Sequence, residues 1–267
     1  MITSTKKNRV KKLIYNEKYH DNCHDYLKQI YLDKYAIPKY KDLLYQIKEK
    51  IPKVNICTET DNHLYADIIV CDQHAVVFGH HLDIYYAVAT YALNACVALV
   101  LYLSDYKIGC MTHFDGLAAY SKQSAIDDGL PINFNPIEEN MKIILKKLRN
   151  LAQTNAKINI DYYLIGGIFD MSEVMINDII ECINNINNKN QYVFAFKGRN
   201  ILGPENQSRN ICLDTRTGKI TYFDYIANSE FYRKKRNQQG LPINIIKAPR
   251  KSEAFLDITY EPVMIMK

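Results

Sequence analysis

The sequence contains no long apolar run and no recognisable export signal. A membrane-spanning helix needs roughly 18–20 apolar residues, and the longest candidate, Tyr85 to Leu103, is interrupted by Thr90, Asn94 and Cys96. Lys and Asn occupy the N-terminal positions where a signal peptide has its apolar core. We therefore expect a protein with no membrane span and no classical route of export.

The seven cysteines show no spacing typical of a disulfide framework or a zinc ribbon. Their number is odd, they are scattered along the chain, and no CxxC pair occurs. We expect at least one free thiol and a reducing, cytoplasmic environment. Delivery into a host cell by a specialised secretion system is the alternative for a protein that lacks a classical signal.

Neither the charge nor the glycine pattern indicates a nucleic-acid or dinucleotide partner. The net charge of +5, from 34 basic and 29 acidic residues, is too mild to argue for nucleic acid. Much of the excess lies in residues 6–12, a cluster typical of a solvated terminus, with a membrane or nucleic-acid arm as the alternative. The pair Gly166–Gly167 lacks the rest of a GxGxxG motif, which disfavours a dinucleotide site.

The texture of the 267-residue chain changes near residue 52. Residues 1–52 hold a basic tail followed by two segments with apolar residues at helical spacing, Glu17–Lys34 and Tyr40–Lys50. Residues 53–267 contain short apolar runs of strand length. We predict a helical N-terminal extension (1–52) and one large domain (53–267).

Within the large domain, strand-length runs surround two helical segments. The helices are predicted from Asn135 to Asn150 and from Ser172, a candidate cap, to Ile186. The order of strands, two helices and strands favours an α+β fold in which both helices lie on one side of a mixed sheet. The predicted strands are Val54–Cys57, Leu64–Cys71, Ala75–Gly79, Ala95–Leu103, Ile108–Thr112, Ile158–Ile165, Tyr192–Phe196, Asn210–Asp214, Lys219–Tyr225, Ile243–Lys247 and Ala254–Tyr260.

Cys96 and His113 flank a predicted hairpin. A two-residue turn at Ser104–Asp105 would place Leu103 opposite Tyr106, and Cys96 would then lie directly opposite His113 on one face of the sheet. A different turn length would move His113 to a diagonal position or to the other face. A thiol beside an imidazole is chemically meaningful because the imidazole can accept the thiol proton and leave a nucleophilic thiolate.

Structural roles for these residues are the alternative. Most buried cysteines are inert, and His113 could be an ordinary core histidine. Cys110 lies near His113 in the chain, but its opposite strand parity predicts that it faces the other way. A group of His74, His80, His81 and Asp83 offers histidines for a metal, although its spacing matches no standard zinc motif and a structural loop is the simpler interpretation.

The spacing T-x5-C-x16-H, formed by Thr90, Cys96 and His113, resembles the active-site pattern of the CheD-like chemotaxis glutamine deamidases. The sequence is more closely similar to the protein N-terminal asparagine amidohydrolase family, which has the same Cys-to-His interval. That family also has a C-x-T-H-x-D-G block and an apolar strand ending in Gly-Gly, matched here by Cys110–Gly116 and Tyr163–Gly167. The resemblance covers roughly residues 65 to 267.

The resemblance implies a layered αββ sandwich of the CheD-like and cytotoxic necrotizing factor-like type, with no metal and no organic cofactor. It implies that Cys96 is the nucleophile, His113 the acid and base, and Thr90 a residue that orients His113 or contacts the amide. Asp115 would bind a substrate α-amino group, Asn94 and Ala95 would line the substrate site, and the backbone N–H groups of Cys96 and Ala95 could bind an oxyanion. The chain departs from the eukaryotic members, which begin Met-Pro, because it begins Met1-Ile2 and has a long N-terminal extension.

The expected function is therefore a protein deamidase that converts N-terminal Asn to Asp on a protein or peptide substrate. A deamidase that acts on an internal Gln or Asn of a partner protein is the first alternative. A binding module that kept the fold without catalysis is an alternative of another class. A cysteine peptidase is disfavoured because the usual helix-borne Cys signature is missing. The sequence does not indicate an oligomeric state.

Overall fold

The computed structural model describes residues 46–47, 49–54, 68–71, 75–83, 86–114, 136–168, 172–187, 191–203, 208–222, 245–247 and 255–257. The predicted helix Glu17–Lys34, most of the predicted helix Tyr40–Lys50 and most of the predicted strand Val54–Cys57 lie outside these residues, as does Asp115. The boundary at residue 52 stays a prediction.

The described residues form eleven strands and two long helices, and the fold is α+β. The predicted fold class is therefore confirmed at this level. The strands are β1 (Ile68–Cys71), β2 (Ala75–His80), β3 (Ala87–Leu93), β4 (Val97–Leu103), β5 (Ile108–His113), β6 (Ile158–Ile168), β7 (Tyr192–Gly203), β8 (Arg209–Asp214), β9 (Lys219–Tyr222), β10 (Ile245–Lys247) and β11 (Phe255–Asp257); the helices are α1 (Pro136–Ala152) and α2 (Glu173–Asn187).

The strands form two mixed sheets, which is consistent with a layered sandwich. One has the order β10-β1-β3-β8-β9, and the other has the order β11-β2-β5-β4-β6-β7. Strand β3, which was not among the predicted strands, lies at the centre of the five-stranded sheet. Strand β4 lies between β5 and β6 in the six-stranded sheet and is buried along its whole length. Of the three predicted catalytic residues, Thr90 lies in β3, Cys96 directly precedes β4, and His113 ends β5.

Alternate residues of β4 point into two different cores. Leu99 and Leu101 pack with residues of both helices, whereas Ala98 and Val100 pack with Leu213 of the five-stranded sheet. The helices, the six-stranded sheet and the five-stranded sheet are thus three successive layers. Because a central strand in such a stack is covered on both faces, its sequence is an unbroken apolar run, as seen in Val97–Leu103.

The two helices follow from local sequence signals. Helix α1 begins at Pro136, which suits the first helical position, and has Glu138 and Glu139 in its first turn and Arg149 in its last, as the helix dipole favours. The apolar residues that share one face of this helix are all buried: Ile137, Met141, Ile144, Leu145 and Leu148. Helix α2 begins directly after Ser172, as predicted. Neither helix, nor any other helix among the described residues, is long and apolar enough to cross a membrane.

The β4–β5 hairpin has a four-residue turn, so the predicted two-residue turn is wrong. Leu103 pairs with Ile108, and residues 104–107 form the turn. Lys107 closes the turn with φ at 52°, in the left-handed region. Relative to the prediction, the partner strand is shifted by two residues. An even shift keeps every side chain on its predicted face, so only the pairing across the hairpin changes.

A short N-terminal segment runs along the outer edge of β7. Val54 donates its N–H to the Arg199 carbonyl oxygen at 2.8 Å, and the Arg199 N–H bonds to the Pro52 carbonyl oxygen at 2.9 Å. Ile47 is buried in the core beneath the helices. Residues on both sides of the predicted boundary at residue 52 therefore contact the sheet, and the segment covers an edge strand that would otherwise be exposed.

The turn geometry predicts that Lys107→Gly raises the free energy of unfolding by about 1 kcal/mol, because glycine removes the cost of the left-handed conformation. If the turn had two residues, Lys107 would lie in a strand and glycine would destabilise the protein instead. Urea unfolding measures the sign. Lys219→Gly, at an exposed position in β9, is the matched control and should lower stability.

Candidate active site

A hydrogen bond joins Thr90 of the five-stranded sheet to His113 of the six-stranded sheet. The Thr90 Oγ1 and His113 Nδ1 atoms are 2.8 Å apart. Oγ1 also donates its single proton to the Cys71 carbonyl oxygen at 2.9 Å, so it must accept from Nδ1–H. The neutral imidazole is therefore protonated at Nδ1, and its other nitrogen, Nε2, has the lone pair that a general base needs.

The neighbouring strands fix both partners of this bond. Thr90 pairs with Cys71 across β3 and β1, and His113 pairs with Ala75 across β5 and β2. Both side chains are buried, with Thr90 at 0% and His113 at 3% exposure. A buried side-chain bond between two layers has little room to rearrange, so His113 is held in one orientation.

Cys96 directly precedes β4 and belongs to the core between the two sheets. Val97 pairs with Phe114. Cys96 directly precedes Val97 and His113 directly precedes Phe114, and because the strands are antiparallel the two residues lie on opposite sides of this pair. Cys96 and His113 thus share a face as diagonal neighbours, for which a separation of about 7–8 Å between backbone positions is typical. The predicted direct opposition is wrong, and the predicted common face is confirmed.

A β-bulge in β3 brings the chain to Cys96. The pairing of β3 with β8 changes register between Thr90 and Leu93, and Ala92 has φ at 56°. The side chain of Asn210 holds this distortion, because its Oδ1 accepts the Ala92 N–H at 2.8 Å. Bulges bend a strand and redirect the residues after them; here residues 94–96 leave the five-stranded sheet and enter the six-stranded one.

The carbonyl groups on both sides of Cys96 are held by hydrogen bonds. The Ser172 hydroxyl donates to the Ala95 oxygen at 2.7 Å, and the Gly167 N–H donates to the Cys96 oxygen at 2.8 Å. Gly166 has φ at 110°, and a Cβ at this position would overlap the Cys96 carbonyl oxygen. The Gly-Gly pair therefore permits close approach of β6 to the candidate nucleophile.

Asn94, two residues before Cys96 in the chain, has a buried acceptor. Its Oδ1 is buried and has no hydrogen-bond partner within the described part of the chain, while its backbone N–H bonds to the Ala92 oxygen at 2.9 Å. A buried amide oxygen without a donor is costly, and a substrate N–H would satisfy it. This position suits the substrate-binding role predicted for Asn94. The Ala95 carbonyl oxygen accepts the Ser172 hydroxyl, so Ala95 takes part in the candidate site through its backbone.

Two residues near Cys96 had no predicted role in the site. Arg209 is buried and donates to Asn200 Oδ1 at 2.9 Å and to the Gly167 oxygen at 3.3 Å; burial lowers the pKa of its guanidinium. Ser172 was predicted only as a helix cap. Neither role has a local signal in the sequence, because each depends on contacts with distant strands.

Two of the other buried thiols, those of Cys110 and Cys212, have settings that oppose ionisation. Burial raises the pKa of both Cys110 and Cys212, and Cys110 packs in the core beneath the helices, away from His113, as predicted. Cys71 donates its thiol to the Ala75 oxygen at 3.1 Å. Cys96 has 9% exposure and Cys182 has 4%, whereas Cys71, Cys110 and Cys212 have none. Cys96 is thus the most accessible thiol of the five described.

The described residues contain no group of three His, Cys, Asp or Glu side chains that could hold a metal ion. The rings of His80 and His81 are tilted against each other with centroids 4.5 Å apart, and His80 Nδ1 accepts the Leu82 N–H at 3.1 Å. His74 lies outside the described residues. Both interpretations of this histidine group therefore stay predictions.

No family model matches the sequence. The chain is 59% identical over 268 residues to "Uncharacterized protein R721" of Acanthamoeba polyphaga mimivirus, with 99% of this chain and 98% of the relative covered. The chain belongs to the family of that protein. Because the match covers almost all of both chains, it includes the N-terminal extension as well as the residues around Cys96.

We expect Thr90→Val to lower the free energy of unfolding by about 1–3 kcal/mol, since the Cys71 carbonyl and the His113 Nδ1–H would both lose a buried partner. Thr90→Ser keeps the hydroxyl and should cost less. Urea unfolding followed by circular dichroism makes the comparison. A Thr90→Val variant as stable as the wild type, or less destabilised than Thr90→Ser, would contradict this expectation, because valine keeps the Cγ2 methyl group that serine lacks.

Proposed function

We propose that the protein is a cysteine-dependent amidohydrolase that deamidates a protein or peptide substrate, with Cys96 as nucleophile and His113 as acid and base. The observation that carries this proposal is the Thr90–His113 hydrogen bond, 2.8 Å long, on the face that Cys96 shares. Because this hydrogen bond holds the imidazole proton on Nδ1, the lone pair of His113 is on Nε2. The CheD-like T-x5-C-x16-H spacing and the three-layer α+β architecture support the same conclusion.

The reaction would proceed through a thioester. Nε2 of His113 takes the thiol proton, and the Cys96 thiolate attacks the carboxamide carbon to form a C–S bond. The tetrahedral intermediate collapses with cleavage of the C–N bond, and the imidazolium gives its proton to the departing ammonia. Water, deprotonated by His113, then cleaves the thioester, which yields the carboxylate and restores the thiol. The reaction needs no redox partner, and its reduced thiol suits the cytoplasm.

Among carboxamides, an N-terminal Asn is the substrate we favour. Asn94 Oδ1 offers an acceptor for a substrate N–H, and Asp115 is the candidate carboxylate for the α-amino group. An internal Gln or Asn of a partner protein is the second candidate. The N-terminal extension favours this second candidate, because the N-terminal asparagine amidohydrolases do not have such an extension. The mimivirus relative shares the extension with this chain.

Ammonia release tests the proposal. The purified chain is incubated with an Asn-initiated peptide, the same peptide with an initial Asp, and a peptide with an internal Gln. We expect release above background from an amide-containing peptide and none from the Asp-initiated one. Cys96→Ala should abolish release because the nucleophile is lost. Cys110→Ala removes a buried thiol on the opposite face of the same hairpin and should retain release.

The pattern of substrates separates the candidates. Release from the Asn-initiated peptide alone supports the N-terminal enzyme, and release from internal Gln alone supports the side-chain enzyme. The enzyme proposal is contradicted by release that persists in Cys96→Ala. It is also contradicted by a complete lack of release together with a Cys96 that does not react with iodoacetamide, which is the result expected of a non-catalytic binding module.

A further inference from the structure

The peptide group between Ala95 and Cys96 has a fixed direction. It is trans, because the described chain contains no cis peptide bond, and in a trans peptide the C=O and N–H groups point in opposite directions. The Ala95 oxygen accepts the Ser172 hydroxyl at 2.7 Å. The N–H of Cys96 therefore points away from Ser172 and from the end of helix α2.

Ser172 itself has no freedom to turn. Its Oγ accepts the Ile168 N–H at 3.0 Å while donating to Ala95, so the single hydroxyl proton is committed to the Ala95 oxygen. Its backbone carbonyl accepts the Ile176 N–H at 3.0 Å, which is the first turn of α2. The residue is fully buried. Helix α2 and strand β6 thus hold this hydroxyl, and the hydroxyl holds the peptide before Cys96.

The Cys96 carbonyl is fixed independently by the Gly167 N–H at 2.8 Å. With both flanking carbonyls anchored, rotation of the Cys96 N–H is opposed from both sides. An N–H on the nucleophile's own residue lies three bonds from Sγ, close enough to reach an oxygen on the carbon that Sγ attacks. An oxyanion donor of this kind is effective when it is already oriented before the reaction.

We propose that Ser172 is a positioning residue that orients the backbone N–H of Cys96 towards the oxyanion of the tetrahedral intermediate. The inference rests on the proposed function for its reaction, since an oxyanion forms only when a thiolate adds to a carbonyl. Ser172 touches no substrate atom. It acts through the Ala95 carbonyl. Gly167 does the same on the other side of Cys96, where its N–H holds the Cys96 carbonyl.

The test compares two reactions of the same thiol. p-Nitrophenyl acetate acylates Cys96: the C–S bond forms, the carbonyl electron pair moves to oxygen, and collapse expels p-nitrophenolate and leaves an acetyl thioester. Iodoacetamide alkylates Cys96 by displacing iodide from a saturated carbon, and no oxyanion forms. The ratio of the two rates, both measured on one preparation, therefore reports the oxyanion donor.

Ser172→Ala should lower the acylation rate by about 10- to 100-fold, less than the full loss of an oxyanion donor, because the N–H is displaced rather than removed. The alkylation rate at Cys96 should change by no more than about twofold, since the thiol and His113 keep their places. Ser172→Thr retains the hydroxyl and should restore the ratio. Ser104→Ala, in the exposed β4–β5 turn, is the matched control and should leave both rates unchanged.

Two results would overturn the inference: an unchanged ratio in Ser172→Ala, or an equal fall of both rates, which would indicate a purely structural role. These results are distinct from failure of the proposed function. If ammonia release depends on Cys96 but the ratio of acylation to alkylation is unchanged in Ser172→Ala, the amidohydrolase proposal stands and the role of Ser172 is wrong. If this ratio falls but no amide peptide releases ammonia, the role of Ser172 in acylation stands and the deamidase proposal is wrong.

Discussion

The packing of the five-stranded sheet against the six-stranded sheet is the constraint on which the candidate site depends. Thr90 comes from one layer and His113 from the other, and their hydrogen bond of 2.8 Å exists only while the two layers remain in register. The same interface buries the side chain of Cys96. The orientation of His113 is thus coupled to the integrity of the sandwich: a change that separates the sheets would remove Thr90 from His113, while Cys96 and His113 would stay together on the six-stranded sheet.

A second set of contacts places the backbone of Cys96. The bulge at Ala92 turns the chain out of β3, Ser172 holds the Ala95 carbonyl, and Gly167 holds the Cys96 carbonyl. Arg209 reaches the Gly167 oxygen from the five-stranded sheet. Residues 92–96 and their partner Gly167 are therefore held by strands of both sheets and by the residue that directly precedes helix α2. Such convergence is expected where a reactive group must be pre-oriented, and it is unnecessary for a cysteine that only fills a core.

The sequence predicted those features that depend on local pattern. Helix α1 was predictable from its spacing of apolar residues, and the common face of Cys96 and His113 followed from the two-residue period of a strand. That face survived the wrong turn length because the error was an even number of residues. The turn itself was missed because nothing in Ser104–Lys107 marks Lys107 as left-handed, whereas Ser104–Asp105 is typical of a tight turn.

Features created by tertiary contact could not be predicted in this way. Strand β3 carries Ala and Tyr in a run that continues towards β4, and its bulge depends on an Asn210 side chain more than a hundred residues away in sequence. Ser172 has the sequence signature of a helix cap, yet its hydroxyl bonds to Ala95 and Ile168. Arg209 lies at the start of a strand with no local sign of a role. In each case the partner is specified by the fold.

Competitive labelling of the native protein with a limiting amount of iodoacetamide, resolved by peptide mass spectrometry, tests the Cys96–His113 pair most directly. The account predicts that Cys96 is modified before Cys71, Cys110, Cys182 and Cys212, and that His113→Ala slows its modification by about tenfold or more by removing the base. Cys96 modified no faster than Cys110 and Cys212, or at the same rate with and without His113, would contradict it.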